Sequence, residues 1–260
     1  RRKDIESYLG EDTTFPERLE SEQSYSLEQG YKHLFGRILA YARASVTEDG
    51  LTKHTQRIRW WSALALLQAV ASSPASAAAT LNKRAEAADS TDVAQADLIG
   101  RCVLDLTPGD DATIDIAPGG DAAGDASEEG TAKYHRSKLR DLAKLAESLK
   151  GPKTDAKLAK VIALIKPLLA EGHHPIVFCR FIDTADYIAE HLRAAFPGVE
   201  VVAVTGTLPA EEREQRVQQL ATHGRRILVA TDCLSEGINL QSWFDAIIHY
   251  DLSWNPTRHE

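Results

Sequence analysis

Apolar side chains in the first third of the chain recur at helical spacing. Leu27, Tyr31, Leu34, Phe35, Ile38, Leu39 and Ala42 repeat at i, i+3, i+4 and i+7, which places them on one face of a helix. Ile58, Trp61, Leu64, Ala65 and Gln68 predict a second helix in the same way. Pro74 opens a third, running through Leu81, with Ser73 at its N-cap. A proline loses nothing in the first turn, and a serine hydroxyl can accept from one of the unpaired N–H groups there. Beyond about residue 133 the pattern alternates. Leu158, Val161, Ile162, Ile165, Leu168 and Leu169 form a helical stripe, followed by the apolar run Pro175 to Cys179. Asp183 is expected to cap a helix carrying Ala185, Ile188, Ala189 and Leu192. The run Val199 to Val204, a helix from Pro209 through Leu220, and the runs Ile227 to Ala230 and Ala246 to Tyr250 complete the order. Continuous apolar runs separated by helices predict βαβ units and a parallel sheet covered on both faces. The expected fold class is therefore α/β, with an additional helical region at the N-terminal side.

Between these zones the chain changes character. From Glu86 to Glu129 it carries twelve acids and one base, Arg101, in a background rich in Ala and Gly. Such a composition cannot bury enough apolar surface to order itself and predicts a loop or unstructured insertion. The functional alternative is an acidic segment that competes with nucleic acid. Three zones follow: 1–85 as a helical appendage packed on the lobe, 86–132 as the acidic insertion, and 133–260 as an α/β lobe.

Composition narrows the classes. The chain has 260 residues, 43% hydrophobic and 26% charged, ordinary values for a globular protein with room for a proper core. No run reaches the roughly 18 apolar residues of a membrane span. The Ala-rich stretch from Ala63 to Ala79 is broken by Gln68, Ser72, Ser73 and Pro74. Neither a membrane partner nor a secretory leader is expected, and a cytoplasmic, nucleoid-associated location is. Cys102, Cys179 and Cys233 have no metal-ligand spacing, and buried free thiols are the simplest reading. No metal site is expected, and His173-His174 lacks an obvious third ligand. The absence of methionine and the start at Arg1 lead to the expectation of a piece of a longer protein. A net charge of −8 argues against gripping nucleic acid by charge alone. The stretch from Lys133 to Lys160, however, has nine bases and three acids, either a solvated helix face or a nucleic-acid contact.

The chemistry lies where the apolar runs end. The four runs exit into Arg180-Phe181, Thr205-Gly206-Thr207, Thr231-Asp232 and Asp251-Leu252-Ser253-Trp254-Asn255-Pro256. Right-handed crossovers put all four exits on one edge of a parallel sheet, where α/β proteins hold ligands. Gly206 permits close backbone approach, and its flanking threonines can donate to phosphate. Glu211 and Glu212 suit the start of the next helix but would repel a phosphate there. Arg180 either reaches a phosphate or pairs with a carboxylate; Trp254 either stacks on a base or lids the sheet. Thr231, Ser235, Asn239 and Gln241 can all hydrogen-bond phosphate, ribose or a facing domain. There is no Gly-x-x-x-x-Gly-Lys-Ser/Thr loop and no Asp-Glu pair after an apolar run. No catalytic residue is assigned, and these residues alone are expected not to hydrolyse a nucleotide.

Thr231 to Gln241, together with Asp251 to Glu260, resembles motif V and the approach to motif VI of superfamily-two helicases. The Asn239-Leu240-Gln241 and Trp254-Asn255-Pro256 signatures are similar to the Swi/Snf-type branch, especially its bacterial members. Ile176 to Phe181 resembles motif IV, and Val204-Thr205-Gly206 with Arg213 the segment after it. Arg1 to Ile5 resembles the end of that family's first motor lobe. The likeness covers about 155–260 and, less specifically, 1–85. It implies the second RecA-like lobe of an ATP-dependent translocase on double-stranded DNA, whose two lobes sandwich ATP and Mg2+. By position, Arg180, Thr205, Gly206 and Thr231 would lie near DNA phosphate. Glu236, Gly237 and Asn239 would lie near the nucleotide, and Asp232, Ser235, Gln241 and Asp251 would support the lobe interface. The family's arginine fingers would follow Glu260, so the piece without them and without a first lobe is expected to be inactive. The competing classes are a non-catalytic nucleic-acid or protein adaptor built on the same lobe, and a different α/β enzyme acting on a phosphate or nucleotide sugar.

Overall fold

The described residues form two packed units. The computed structural model describes residues 19–47, 53–87, 129–234 and 239–252. Four helices form the first unit: α1 (Gln29–Val46), α2 (Lys53–Ser72), α3 (Pro74–Ala87) and α4 (Glu129–Ser148). Tyr31, Leu34 and Ile38 of α1 meet Leu66 and Val70 of α2, Ala77, Ala78 and Leu81 of α3, and Leu139, Leu142 and Ala146 of α4. The small residues on α3 and α4 let those two helices approach closely. The predicted α1 stripe is the buried one. That of α2 is so only in part: Ala65 is buried, but so are Ser62, Leu66, Ala69 and Val70, while Trp61, Leu64 and Gln68 are only half-buried. Ser62 also receives Arg84, whose Nη2 donates to its carbonyl and, at 2.6 Å, to its hydroxyl. The predicted cap holds: Ser73 Oγ accepts from Ser76 N–H at 3.1 Å.

The second unit is the α/β lobe. It runs α5 (Ala156–Ala170), β1 (Pro175–Cys179), α6 (Ile182–Ala195), β2 (Glu200–Val204), α7 (Ala210–Ala221), β3 (Arg226–Thr231) and β4 (Ala246–His249). Asp155 caps α5, its Oδ1 accepting from the N–H groups of Lys157 and Leu158. The strands are parallel in the order β2-β3-β1-β4. Side chains alternate between the two faces. Val177, Val201, Ile227 and Val229 pack with Leu158, Ile165, Ile188 and Leu192 of α5 and α6. Ile176, Val204, Leu228 and Ala230 pack with Val217 and Leu220 of α7. The predicted parallel α/β lobe, with helices on both faces of the sheet, is present. One detail differs. Phe181 occupies the N-cap of α6 without a side-chain bond, and Asp183 sits inside the first turn. There its carboxylate meets the helix dipole instead of capping a single N–H.

Of the predicted acidic insertion at 86–132, residues 88–128 lie outside the described residues, as does Trp254, while its two ends belong to α3 and α4. Among the described residues no helix is long and apolar enough to cross a membrane.

The histidine pair belongs to the amino-terminal edge of the sheet. His173 Nδ1 lies 2.9 Å from Asp245 Oδ2, and His174 N–H donates to Asp245 Oδ1 at 2.7 Å. His174 Nε2 lies 3.1 Å from the Gly224 carbonyl, so three turns are stitched together. The hydrogen bond and charge of Asp245 raise the His173 pKa. Burial would raise Asp245, but the His174 N–H and His173 outweigh it and hold its carboxyl below its ordinary value. The pair's histidine part is fully present below the ordinary histidine pKa of about 6.5 and is lost as pH rises through the raised value. Its carboxylate part is present above the ordinary aspartate value of about 3.9 and is lost as pH falls through the depressed one. In Asp245→Asn, the NMR titration midpoint of His173 should fall back to about 6.5. An unmoved midpoint would mean that another group holds the proton.

Candidate functional site

Parallel register decides where the strand exits meet. Cys179 of β1 is level with Thr231 of β3, Val204 of β2 with Ala230, and His249 of β4 with Phe178. The residues that follow therefore lie along one edge in the order Thr205-Gly206, Asp232, Arg180, Asp251. The first residues of all four predicted exits are on that edge. Tyr250 extends the ladder by one bond, its N–H donating to the Phe178 carbonyl at 2.9 Å.

Two predicted phosphate ligands sit inside the protein in this arrangement. Thr231 is 0% exposed, and its hydroxyl donates to Cys233 Sγ at 3.3 Å. β3 is a central strand covered on both faces, so a residue still in register with Cys179 is buried whichever way it points. Thr205 is also buried, with its hydroxyl 2.9 Å from that of Thr207. Gly206 and Arg180 are half-buried, and Thr207 is exposed. Arg180 packs its guanidinium 6.0 Å from the Phe181 ring. The two cysteines near this edge, Cys179 and Cys233, are free thiols whose pKa values burial pushes up, so neither is primed as a nucleophile.

Arg213, on the first turn of α7, braces the edge from beneath. It is buried, yet its Nε donates to the Leu208 carbonyl at 2.8 Å and its Nη1 to the Cys233 carbonyl at 3.0 Å. One guanidinium thus ties the turn after β2 to the turn after β3, which starts with a short 3-10 turn, Asp232–Leu234. A second 3-10 turn, Leu240–Ser242, follows. Asn239 caps it, its Oδ1 accepting from Gln241 N–H at 3.2 Å, and both side chains are exposed. Ser235, Glu236 and Gly237 fall outside the described residues.

At the other end of the edge, Asp251 is fully engaged. Its Oδ2 accepts from Arg180 N–H at 3.0 Å and from Ser72 Oγ at 2.7 Å, and its Oδ1 from Lys157 Nζ at 2.8 Å. It supports the Arg180 backbone, and its partners include the helical unit. Ser72 carried no motif or apolar periodicity that marked it in the sequence, and Lys157 stood out only as one of the bases between Lys133 and Lys160. Arg213 was noticed only as part of a resemblance. Among the described residues, no group of three or more His, Cys, Asp or Glu side chains converges as a metal ligand set would.

Residues 156–260 match the family described as helicase conserved C-terminal domain. Over these residues the lobe is similar to a helicase C-terminal domain. The match begins at the first residue of α5 and leaves the four-helix unit outside it. DEAD-box ATP-dependent RNA helicase 35A of Oryza sativa subsp. japonica is 34% identical over 94 residues, covering 36% of this chain and 14% of that protein. Chromatin-remodeling ATPase INO80 of Cryptococcus neoformans var. neoformans serotype D is 32% identical over 107 residues, covering 39% of this chain and 6% of that protein. Among solved structures, the C-terminal part of the Fun30 ATPase domain is 15% identical, with a TM-score of 0.49, covering 91% of this chain and 76% of that one. The chain thus spans only a small part of the curated relatives it matches.

Proposed function

We propose that this lobe is the second motor lobe of a Swi/Snf-type, DNA-stimulated ATPase that translocates on duplex DNA. The observation that carries the reading is the alignment of Gly206, Asp232, Arg180 and Asp251 on one sheet edge within a lobe similar to a helicase C-terminal domain. The Asn239-Leu240-Gln241 and Trp254-Asn255-Pro256 signatures support the Swi/Snf branch. In this reading a facing first lobe supplies the phosphate cradle. ATP with its Mg2+ lies between the lobes, against Glu236, Gly237 and Asn239. Arg180, Gly206 and Thr207 face the DNA backbone, with Thr205 and Thr231 holding the turns behind them. Asp232, Ser235 and Gln241 lie toward the facing lobe. Hydrolysis belongs to the two-lobed protein, in the compartment that holds the DNA.

The test is ATP hydrolysis by the protein carrying both lobes, with and without duplex DNA. Stimulation by duplex DNA is expected. Stimulation by RNA alone would overturn the DNA assignment, and binding of DNA without hydrolysis would return the adaptor reading. In Arg180→Gln, DNA-stimulated turnover should fall further than unstimulated turnover. The slope of log affinity against log salt should drop by about 1, as for one lost phosphate contact. An unchanged slope would remove Arg180 from the phosphate face.

A further inference from the structure

Among the described residues the helical unit and the lobe have distinct apolar clusters, and Ala75 of the helical unit joins that of the lobe. Polar contacts bridge the two units beside it. Ser72 and Ser73, at the corner between α2 and α3, are buried against Thr184 of α6, which is 0% exposed. The Thr184 hydroxyl lies 2.8 Å from Ser72 Oγ and 2.7 Å from Ser73 Oγ. A hydroxyl has one proton to give. Ser72 gives its proton to the Asp251 carboxylate, so Thr184 must be the donor toward Ser72. The direction of the bond between Thr184 and Ser72 is thereby set by the carboxylate, and the two bonds polarise each other.

Lys157, on the first turn of α5, closes the seam. Its ammonium group has three protons and three acceptors: the Ala71 carbonyl at 3.2 Å, the Ser72 carbonyl at 3.1 Å and Asp251 Oδ1 at 2.8 Å. It also lies 3.9 Å from the centroid of the Tyr250 ring. The two carbonyls belong to the last turn of α2, where no helical N–H remains to satisfy them and the dipole is negative. The side chains of Lys157 and Asp251 are only 13% and 10% exposed.

We propose that Lys157 is a positioning residue that latches the helical unit to the β4 exit, so that the placement of that unit sets the placement of Asp251 and Arg180. Directional bonds fix one register, which apolar contact does not. A polar seam can also part without melting either core, because water replaces its hydrogen bonds. The link to catalysis rests on the motor reading above; the latch itself does not.

The experiment uses the two-lobed protein with spin labels at Arg37 on α1 and Glu190 on α6, both exposed, in a Cys102→Ser background. A single narrow distance distribution is expected for the parent. Lys157→Met should broaden it, and Lys157→Arg should restore it. Asp251→Asn, which keeps an acceptor for Ser72 and the Arg180 N–H, should also broaden it and decides the matter if Lys157→Met is recovered unfolded. In the same variants, DNA-stimulated kcat should fall about fivefold, the lower end of inter-site coupling, with KM for ATP unchanged. A distribution that stays narrow in both variants overturns the latch. Broadening with kcat unchanged overturns the positioning role. If the parent shows no DNA-stimulated turnover, the motor reading fails and the distances alone decide the latch.

Discussion

Replacing Asp251 by alanine should lower the unfolding free energy by about 3–5 kcal/mol, the range for breaking a buried ion pair from one side. The side chain is nearly enclosed and accepts three hydrogen bonds, from Lys157, Ser72 and Arg180 N–H. Its removal leaves an ammonium with little access to water and no counter-charge, and a Ser72 hydroxyl without its carboxylate acceptor. The cost comes mainly from the charge left behind and less from the attraction lost. Replacing Lys157 by methionine as well should therefore recover much of the stability, and a double-mutant cycle by urea denaturation would show it. A loss below about 1 kcal/mol for Asp251→Ala would place the pair with solvent-exposed ion pairs, against its burial.

Leu228→Ala should cost about 3 kcal/mol, within the range for emptying a packed leucine site. Leu228 is 0% exposed at the middle of β3, between β2 and β1. It faces Ile176, Val204, Val217, Leu220 and Phe244. A central strand between two neighbours cannot shift to fill the space, so most of the cavity should persist. The urea midpoint should fall with little change in slope, since the surface exposed on unfolding is nearly the same. Ile247→Ala is the control. That residue lies on edge strand β4 and is 61% exposed, so its loss should stay within about 0.5 kcal/mol. Equal losses at the two positions would contradict the layered core.

Much of the architecture was legible from local pattern. The α1 and α5 stripes, the four apolar runs and the Ser73-Pro74 helix start all stand where spacing and residue type predicted. Those signals are written in neighbouring residues, because each element must bury one face. The four polar exits were legible for the same reason: a parallel sheet brings its strand ends to one edge. The α2 face was only partly legible, because which side of a helix is buried follows where the neighbouring helices lie. Thr231 was misjudged because an exit residue counts as inside or outside only once the register is known.

By itself the sequence determined the alternation of helix and strand, the parallel sheet and the edge where its polar exits gather, because periodicity and crossover handedness act along the chain. Only the tertiary structure decided that Thr205 and Thr231 turn inward, that Arg213 ties two turns, and that Lys157 joins Asp251 to the end of α2. Lys157 and Asp251 are 94 positions apart, and Ser72 and Asp251 are 179 apart. Short polar side chains at such separations leave no periodic mark, and their meaning exists only where the folded chain makes them neighbours.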